Sequence, residues 1–450
     1  MSFKPYPKYK ESGVEWLGRV PEHWEVRRFQ RCVDIAEGQV DPSDPTYAEM
    51  ALIAPNHIES GTGRLYGIET AAEQSAESGK YECRAGDVVY SKIRPSLRKV
   101  CIAPVDCLCS ADMYPLRPHS GLIGGYLFWT ILSEYFSAFA VLESDRVAMP
   151  KINRESLKQL SVPMPTTVEQ IAISTFLDHE TAKIDALIAE QQRLIELLQE
   201  KRQAVISHAV TKGLNPDAPM KDSGIEWLGE VPEHWEVRPL KSAILKIEQG
   251  WSPQCESYPA EEGEWGVLKV GCVNGDGFNA EEQKALPREI KPLPEYEVME
   301  GDILASRGNT LELVGQAAFI PKVRERLMLS DLLYRFRPQP ERAAGEFLVR
   351  ALRSGYGRFQ IERSATGTSA SMKKVSQGGL KNLLIALPPL GEQHAILTST
   401  STMTAQIDRL SDEARSAITL LQERRSALIS AAVTGQIDVR GFSGGGTEAA

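Results

Sequence analysis

The sequence predicts an α/β (α+β) chain with two globular domains and two long helices, arranged as an internal pseudo-twofold duplication. A motif near the N-terminus returns in the second half, and strand-like pieces broken by Gly and Pro mix with short helical patterns in each half. A long helical segment then closes each half. We expect a first globular domain at 1–162, a first long helix at 163–215, a second globular domain at 216–386, a second long helix at 387–440 and a disordered tail at 441–450.

The duplication is visible directly in the residues. SGVEWLGRVPEHWEVRRF at 12–29 returns as SGIEWLGEVPEHWEVRPL at 223–240, with 14 of 18 positions identical at an offset of 211. Two further pairs match at an offset of 223: LKQLSVPMPTTVEQIA (157–172) with LKNLLIALPPLGEQHA (380–395), and LLQEKRQAVISHAVT (197–211) with LLQERRSALISAAVT (420–434). Two copies indicate a duplicated domain, because a solenoid needs at least three stacked repeats.

The long helical segments each begin after a proline-rich stop, PMP in the first copy and LPPL in the second. Apolar side chains then recur at spacings of three and four, which predicts a short, partner-dependent seam in which the two similar helices pair with each other. The predicted seam consists of Ile184, Leu187, Leu194, Leu198 and Val205 in the first helix, and of Ile407, Leu410, Ala414, Ala417, Leu421 and Leu428 in the second. Gln191, Lys201, His208 and Arg424 interrupt it. The alternative, in which each helix packs only on its own globular domain, remains open at this point.

Composition predicts a globular cytoplasmic protein. The 450 residues are 42% hydrophobic and 25% charged, which suits about two to four domains with ordinary cores. No run approaches the ~18 uncharged apolar residues of a membrane helix, and the first residues lack the apolar core of a signal peptide. The seven cysteines are odd in number, and only Cys107 and Cys109 are close together. We therefore expect free thiols, with a metal site as the alternative.

Charge is distributed unevenly along the chain. The net charge of −9 argues on its own against nucleic acid. However, residues 301–381 carry 14 basic and 7 acidic side chains, and residues 80–160 carry 11 and 8, whereas residues 250–300 carry 4 and 11. A locally basic surface on an acidic chain is therefore expected.

Motifs for catalysis are missing from the sequence. It has no phosphate loop, no dinucleotide-binding glycine motif, no zinc-protease or serine-hydrolase motif, and no Asn/Asp-Pro-Pro-aromatic signature of adenine methyltransferases. We accordingly predict no catalytic residue and no metal ligands. His23 and His234 share one place in the repeated PEHWEV and are interpreted as packing or hydrogen-bonding residues.

Other repeated residues also have plain structural interpretations. Asp87 and Asp302 stand in the repeated Gly-Asp before an apolar triplet, which is typical of a turn that leads into a strand; a metal-binding acid is the alternative. The tryptophans of the repeated motif are interpreted as anchors of a domain edge, although they could also stack on bases: Trp16, Trp24, Trp227 and Trp235.

Basic residues are the best candidates for function. They fall after the Gly-Asp strand and before the long helix in both halves, where Lys and Arg could neutralise phosphate, and where Arg and Asn could read guanine and adenine. The predicted DNA-binding residues are Lys92, Arg94, Arg98, Lys99, Arg146, Lys151, Arg154, Arg307, Asn309, Arg358, Arg363, Thr368, Ser369, Lys373 and Lys374. A solvated charged surface is the alternative for each cluster.

Taken together, the W-L-G-x-V-P-x-H-W phrase, the P-x-P-x-x-x-E-Q phrase and the final VTGQIDVR (433–440) resemble the specificity subunits of Type I restriction-modification enzymes. The resemblance extends from about residue 9 to 440. It implies a non-catalytic subunit in which two target recognition domains each read one half of a split DNA sequence. The resemblance also implies that the two long helices form an antiparallel coiled coil, which would set the separation of the half-sites. Because the variable stretches differ, the target should be asymmetric.

The resemblance also implies partners and cofactors. Two modification subunits would dock on this chain and methylate adenine, using S-adenosylmethionine, and restriction/translocase subunits would join them with ATP and Mg. No cofactor is expected on this chain itself. The second copy departs from the first where SKIRP becomes SRGNT, so the individual contact residues are hypotheses. Two other functions remain open: a solitary coiled-coil DNA-binding regulator, and a self-contained DNA-modifying enzyme.

Overall fold

A computed structural model describes residues 4–144, 150–367 and 372–442. The chain divides into two compact units, Met1–Gln192 with Arg415–Ala450, and Arg193–Ala414. Each unit therefore contains one globular part and one half of each long helix. Of the predicted disordered tail, residues 443–450 lie outside the described residues.

The first unit is built on a four-stranded and a five-stranded sheet, with two short strand pairs beside them. The four-stranded sheet runs, in spatial order, Val100–Ile102, Val88–Ser91, Met113–Pro118 and Val33–Ile35. The five-stranded sheet runs Gln39–Val40, Lys80–Cys83, Cys107–Cys109, Ala51–Ile53 and Glu69–Thr70. The short pairs are Tyr9–Glu11 with Arg19–Pro21 and Ser161–Met164 with Glu25–Arg28. Its helices are Pro45–Ala48, Gly124–Leu132, Glu134–Leu142 and Arg154–Lys158, with 3-10 turns at Phe29–Arg31, Pro55–His57 and Pro95–Leu97.

The second unit repeats this plan. Its four-stranded sheet runs Ile244–Gln249, Leu333–Pro338, Ile303–Ser306 and Ala317–Phe319, and a three-stranded sheet runs Gln283–Ala285, Gly266–Leu268 and Leu327–Met328. Two-stranded pairs are Met220–Asp222 with Glu230–Pro232, Glu236–Pro239 with Leu384–Leu387, and Gly308–Asn309 with Lys373–Lys374. Its helices are Gly345–Arg353, Gly355–Ser364 and Gln377–Lys381, with 3-10 turns at Leu240–Ser242, Val270–Val273 and Pro294–Tyr296.

The two four-stranded sheets have the same topology, which confirms the predicted duplication and the mixed α/β character. In both sheets, the strand after the Gly-Asp turn lies between two antiparallel neighbours. Val88–Ser91 lies between Val100–Ile102 and Met113–Pro118, and Ile303–Ser306 lies between Ala317–Phe319 and Leu333–Pro338. The second sheets differ, because the first unit adds two strands on one edge. Sequence divergence between the halves therefore coincides with a difference in strand number.

The long helices span Thr167–Lys212 and Leu390–Val433. The first begins with a capping box in which the Thr166 hydroxyl accepts from the Glu169 backbone N–H at 3.3 Å and the Glu169 carboxylate accepts from the Thr166 N–H at 3.2 Å. It ends before Gly213, which has a φ of +76°, a left-handed conformation that glycine adopts without strain.

The helices pair in both units, and the pairing is antiparallel. In the first unit Arg425 pairs with Asp185, whereas in the second unit Arg202, farther along the first helix, pairs with Asp408, which is earlier in the second. Helix pairing is therefore confirmed. Each helix also packs on a globular core: Phe176 of the first helix lies in that of the first unit and Ile396 of the second helix in that of the second unit. The packing that the alternative interpretation proposed therefore occurs together with the helix pairing.

The buried seam follows a stricter heptad than the predicted one. Ile184, Leu198 and Ile407 are buried, and Val205, Leu421 and Leu428 are half-buried, whereas Leu187, Leu194 and Leu410 are exposed. Each of the three exposed leucines lies one residue before a seam position, which is occupied by Ile188, Ile195 or Ser411. The seam also contains small polar side chains, which the apolar pattern could not include. Ser411 and Thr404 are buried in this way; the Ser411 hydroxyl donates to the Ile407 carbonyl at 3.0 Å.

Two of the predicted seam interruptions are off by one residue. Lys201 and Arg424 are exposed, whereas the next residues, Arg202 and Arg425, lie in the seam. The spacing of apolar residues cannot predict which arginine is buried in the seam, because the burial of an arginine depends on the carboxylate that faces it. Asp408 and Asp185 supply that carboxylate.

Within the described residues, no single helix is long and apolar enough to cross a membrane; by length and composition only, the pair Gly124–Leu132 and Glu134–Leu142, bent by 65°, passes the same test.

Candidate nucleic-acid interface

The repeated PEHWEV phrase and the repeated Glu-Gln at the start of the long helix contact each other within each unit. In the first unit the His23 Nε2–H donates to Glu169 Oε1 at 2.8 Å and the Trp24 indole N–H reaches the same oxygen at 3.4 Å. In the second unit His234 and Trp235 donate to the two oxygens of Glu392 at 2.7 and 3.1 Å. The hydrogen-bonding interpretation of both histidines is confirmed.

The glutamine that follows each of these glutamates holds the loop before the helix Gly124–Leu132 in the first unit or Gly345–Arg353 in the second. Gln170 Oε1 accepts from the Ile123 N–H at 3.0 Å, and its amide donates to the Gly121 carbonyl at 2.8 Å. Gln393 makes the equivalent bonds to Ala344 N–H and the Arg342 carbonyl, both at 2.8 Å. All four partners are backbone atoms, so this clamp tolerates any side chains in the loop.

Glu169 should make stability depend on pH. Burial disfavours its charged form, but hydrogen bonds from His23 and Thr166 outweigh burial and hold the pKa of Glu169 below its usual value. A carboxyl with a depressed pKa stabilises the fold above its unfolded pKa, about 4.3, and this contribution is lost as the pH falls through the folded pKa. We expect Glu169→Gln to lower the free energy of unfolding by about 1.5–3 kcal/mol at pH 7 and to flatten its decline below about pH 4. Chemical denaturation across pH measures both. Glu155→Gln, at an exposed ion pair, is the control; an equal effect there would contradict the prediction.

The repeated Gly-Asp pairs form turns, as predicted. Asp87 Oδ2 accepts from the Arg84 backbone N–H at 2.9 Å and from Arg117 Nε at 3.0 Å. Asp302 accepts in the same way from the Met299 N–H at 2.9 Å and from Arg337 Nε at 2.5 Å. Each aspartate therefore closes its own turn and fixes the neighbouring strand.

A repeated backbone bridge brings the two basic segments of each unit together. In the first unit Ile93 pairs with Lys151, and the Ile152 N–H donates to the Lys92 carbonyl at 3.0 Å. In the second unit the strands Gly308–Asn309 and Lys373–Lys374 pair, and the Val375 N–H donates to the Arg307 carbonyl at 3.0 Å. Segments about 60 residues apart in sequence therefore form one basic surface in each unit, which we call the basic bridge.

In the first unit, Arg94 and Lys151 are the exposed members of the basic bridge. Lys92, Arg98 and Lys99 are half-buried and donate to Ala111, Ser426 and Pro55. Arg154 donates to the carbonyls of Ile35 and Ala36 and lies over the ring of Tyr114, an arrangement that holds the bridge in place.

Arg94 and Arg98 also hold unusual backbone conformations. Their φ angles are +48° and +47°, in the left-handed region that non-glycine residues rarely adopt. They flank the 3-10 turn Pro95–Leu97, so the chain makes two strained corners within five residues. Strain of this kind concentrates at functional loops, which favours this loop as a binding element.

In the second unit, Lys374 and Arg363 are exposed, and Lys373 donates to the Gly367 carbonyl at 2.6 Å. Arg307 pairs with Asp331, and Asn309 Nδ2 donates to Asn274 Oδ1 at 3.1 Å. Arg358 donates to the Val314 and Leu311 carbonyls, and burial lowers its pKa. Arg146, Thr368 and Ser369 lie outside the described residues.

The tryptophans of the repeated motif divide into two classes. Trp24 and Trp235 are fully buried, as expected of anchors. Trp16 and Trp227 are 51% and 42% exposed, and each ring rests against a phenylalanine: Phe139 of the helix Glu134–Leu142 or Phe359 of the helix Gly355–Ser364. The anchoring interpretation therefore holds fully for one tryptophan of each copy.

All seven cysteines are free, as predicted, and six of them are buried. In the part of the chain that the structure describes, no group of three or more His, Cys, Asp or Glu side chains could hold a metal ion.

A family model described as Type I restriction modification DNA specificity domain matches residues 21–198 and again residues 232–419. Each match lies within one copy of the internal repeat. They include both basic bridges.

Curated relatives are similar in sequence. The EcoDI specificity subunit of a Type I restriction enzyme from Escherichia coli is 35% identical over 193 residues, 43% of this chain and 43% of that protein. The EcoEI specificity subunit from Escherichia coli is 28% identical over 306 residues, 68% of this chain and 48% of that protein. The chain thus spans less than half the length of these two relatives. The putative MjaX specificity subunit from Methanocaldococcus jannaschii is 26% identical over 452 residues, 96% of this chain and 98% of that protein.

Two solved structures share the fold. A chain from work on complex assembly and conformational transition of the type I R-M system superposes with a TM-score of 0.73 at 17% identity, covering 93% of this chain and 99% of that one. The HsdS subunit from Thermoanaerobacter tengcongensis superposes with a TM-score of 0.54 at 17% identity, covering 95% and 100%.

Proposed function

Because this chain belongs to the family of Type I restriction modification DNA specificity domains, we propose that its two units each read one half of a bipartite, asymmetric DNA target. The chain is a specificity subunit with DNA-recognition domains and has no catalytic role of its own. The observation that carries the proposal is the basic bridge, which occurs at the same place in both units.

The two bridges should read different bases. Arg94 of the first unit and Asn309 of the second occupy equivalent positions after the Gly-Asp strand. Arginine pairs best with guanine in the major groove, and asparagine pairs best with adenine. Exposed Lys151 and Lys374, which pair with Ile93 and Gly308, the residues just before these two, would neutralise phosphate and position each unit. Two unlike bridges on one chain favour an asymmetric target.

The partners follow from the proposed role. Two modification subunits would dock on this chain, bind S-adenosylmethionine and methylate adenine, and restriction/translocase subunits would join with ATP and Mg. Exposed Leu187, Leu194 and Leu410 on the long helices are candidate contacts for the modification subunits, because isolated apolar side chains beside a filled seam remain available to a partner. The acidic net charge of −9 suggests that tight DNA binding requires these partners.

The test is co-expression of this chain with its modification subunit, followed by sequencing of methylated adenines in host DNA. We expect a split, asymmetric motif that appears only when both chains are present. Expression of the modification subunit alone is the control. Absence of a motif, together with tight sequence-specific binding by the purified chain alone, would contradict the proposal and favour a solitary DNA-binding regulator.

The helix pair should act as a spacer. Seven residues inserted after Gln192 and seven after Ala414 add one heptad to each helix and keep the seam in phase. Each insertion lengthens its helix by about 10 Å, and DNA rises about 3.4 Å per base pair. We expect the methylated motif to keep both halves while its spacer lengthens by up to about three base pairs. An unchanged spacer would show that the helices do not set the distance.

A further inference from the structure

One arginine in each unit joins the helix pair to a loop of the globular part. Arg425 lies in the seam of the first unit and is 7% exposed. Its Nε and Nη2 donate to the two carboxylate oxygens of Asp185 at 2.9 and 3.4 Å, and its Nη1 donates to the Gly61 carbonyl at 2.8 Å. The planar guanidinium thus connects two helices and one loop in a single fixed geometry.

The second unit contains the equivalent arginine. Arg202 and Arg425 occupy the same position of the repeated LLQE-x-R segment, and Asp408 and Asp185 match in the same way. Arg202 Nε donates to Asp408 Oδ1 at 2.9 Å, and its Nη2 lies 3.8 Å from Asp276 Oδ2. Gly61 and Asp276 stand in corresponding loops, because each loop follows the equivalent strand and 3-10 turn of its sheet.

These loops touch the residues proposed to contact DNA. In the first unit, the Ser60 hydroxyl donates to the Leu97 carbonyl and the Gly61 N–H to the Arg98 carbonyl, at the strained turn that carries Arg94. In the second unit, Asn274, two residues before Asp276, accepts from the Asn309 side chain at 3.1 Å. Polar contacts therefore run from each basic bridge, through one loop, to the helix pair. In the first unit they are hydrogen bonds, and in the second unit the loop meets the helix pair through the ion pair of Arg202 with Asp276 at 3.8 Å.

We infer that Arg425 and Arg202 are positioning residues that hold each recognition surface at a fixed place on the helix pair and thereby restrict the spacer length that the complex accepts. This inference rests on the proposed function. In this role the two arginines contact neither bases nor phosphate, because they act through the loop and the basic bridge. Since the geometry is repeated, each half-site would be positioned by its own arginine.

Arg425 should hold its loop more firmly than Arg202 does. Arg425 is buried and donates to both oxygens of Asp185 as well as to a backbone carbonyl. Asp276, the loop partner of Arg202, is 85% exposed, and solvent weakens such a pair. Substitution of Arg425 should therefore reduce the discrimination between spacer lengths more than substitution of Arg202 does.

The experiment compares initial rates of adenine methylation by the complex of this chain with its modification subunit. Two duplexes are used, one with the native spacer and one with a spacer one base pair longer. Arg425→Lys and Arg425→Gln should each reduce the ratio of the two rates about tenfold, because lysine keeps a positive charge but cannot form the three-way fork. Arg202→Lys should reduce the ratio less. Lys183→Gln, which removes an exposed charge from the same helix pair, is the control.

A charge-swapped variant separates the loop contact from the contact between the helices. Asp185→Arg combined with Arg425→Asp restores an ion pair between the helices, but an aspartate at position 425 cannot donate to the Gly61 carbonyl. We expect this double variant to show the same loss of spacer discrimination as Arg425→Lys. Recovery of the wild-type ratio would overturn the inference, because the ion pair between the helices would then suffice.

A purely structural role would give a different result. It would lower the melting temperature and slow methylation of both duplexes equally, leaving the ratio unchanged, and this outcome would also overturn the inference. Failure of the wild-type complex to methylate any bipartite motif would refute the proposed function itself, and the wild-type reaction reveals that separately.

Discussion

Replacing residues 241–380 with the variable stretch of another family member is expected to change one half of the methylated motif and to leave the other half unchanged. The replaced stretch contains the whole four-stranded sheet and the basic bridge of the second unit. The anchors stay outside it: Trp235, Glu392 and the strand pair Glu236–Pro239 with Leu384–Leu387. Gln393 reaches into the stretch only through backbone atoms of Arg342 and Ala344, so a new sequence with the same backbone keeps the clamp.

The reciprocal replacement is the matched control. Residues 30–157 are the equivalent stretch of the first unit, and their replacement should change the opposite half of the motif. Sequencing of methylated adenines reports both halves and the spacer at once. A single replacement that alters both halves would show that the units do not read DNA independently.

Trp24→Ala is expected to destabilise the first unit by about 3–5 kcal/mol, the usual range for removal of a large buried aromatic side chain. Trp24 is fully buried, and its indole N–H reaches the Glu169 carboxylate at 3.4 Å. It also packs beside the turn that ends the second long helix, since a Cβ added to Gly435 would lie 3.1 Å from the Trp24 ring. Loss of the indole should therefore loosen the end of that helix from the core of the unit.

Calorimetric melting of two variants, one at a buried and one at an exposed tryptophan, distinguishes the loss of this contact from a general effect of removing a tryptophan. Trp16→Ala, eight residues earlier and 51% exposed, should cost less than about 1 kcal/mol. Trp235→Ala should lower the melting transition of the second unit in the same way, because Trp235 is fully buried and donates to Glu392 at 3.1 Å. Equal effects of Trp24→Ala and Trp16→Ala would show that burial does not decide the role of these tryptophans.

Much of the candidate site was predictable, because residues that occur at equivalent places in both copies of the repeat stand out from the rest of the sequence. Gly-Asp at two equivalent places predicted the turns of Asp87 and Asp302, since this dipeptide encodes its own conformation. Basic residues at matching places predicted the two segments of each basic bridge. Which of these side chains contact DNA stays a prediction. Arg154 and Arg358 illustrate the difficulty, because both donate to backbone carbonyls that are remote in sequence.

The positioning arginines could not be found from the helical pattern. Arg202 and Arg425 looked like ordinary charged residues next to Lys201 and Arg424, and periodicity does not distinguish a seam position from its neighbour when the seam contains polar side chains. The usable signal was the repeat itself, which places an Asp and an Arg at equivalent positions of both helices.

The sequence by itself determined the duplication, the mixed α/β units, the two long helices and the family, because these depend on repeated phrases and on local periodicity. Only the tertiary structure decided that Glu169 and Glu392 hold the repeated tryptophans, that a backbone bridge joins the basic segments, and that Arg425 faces Asp185 and Gly61. Each of these contacts joins residues far apart in the chain. Their distances are set by how the elements pack, and no pattern along the sequence contains that information.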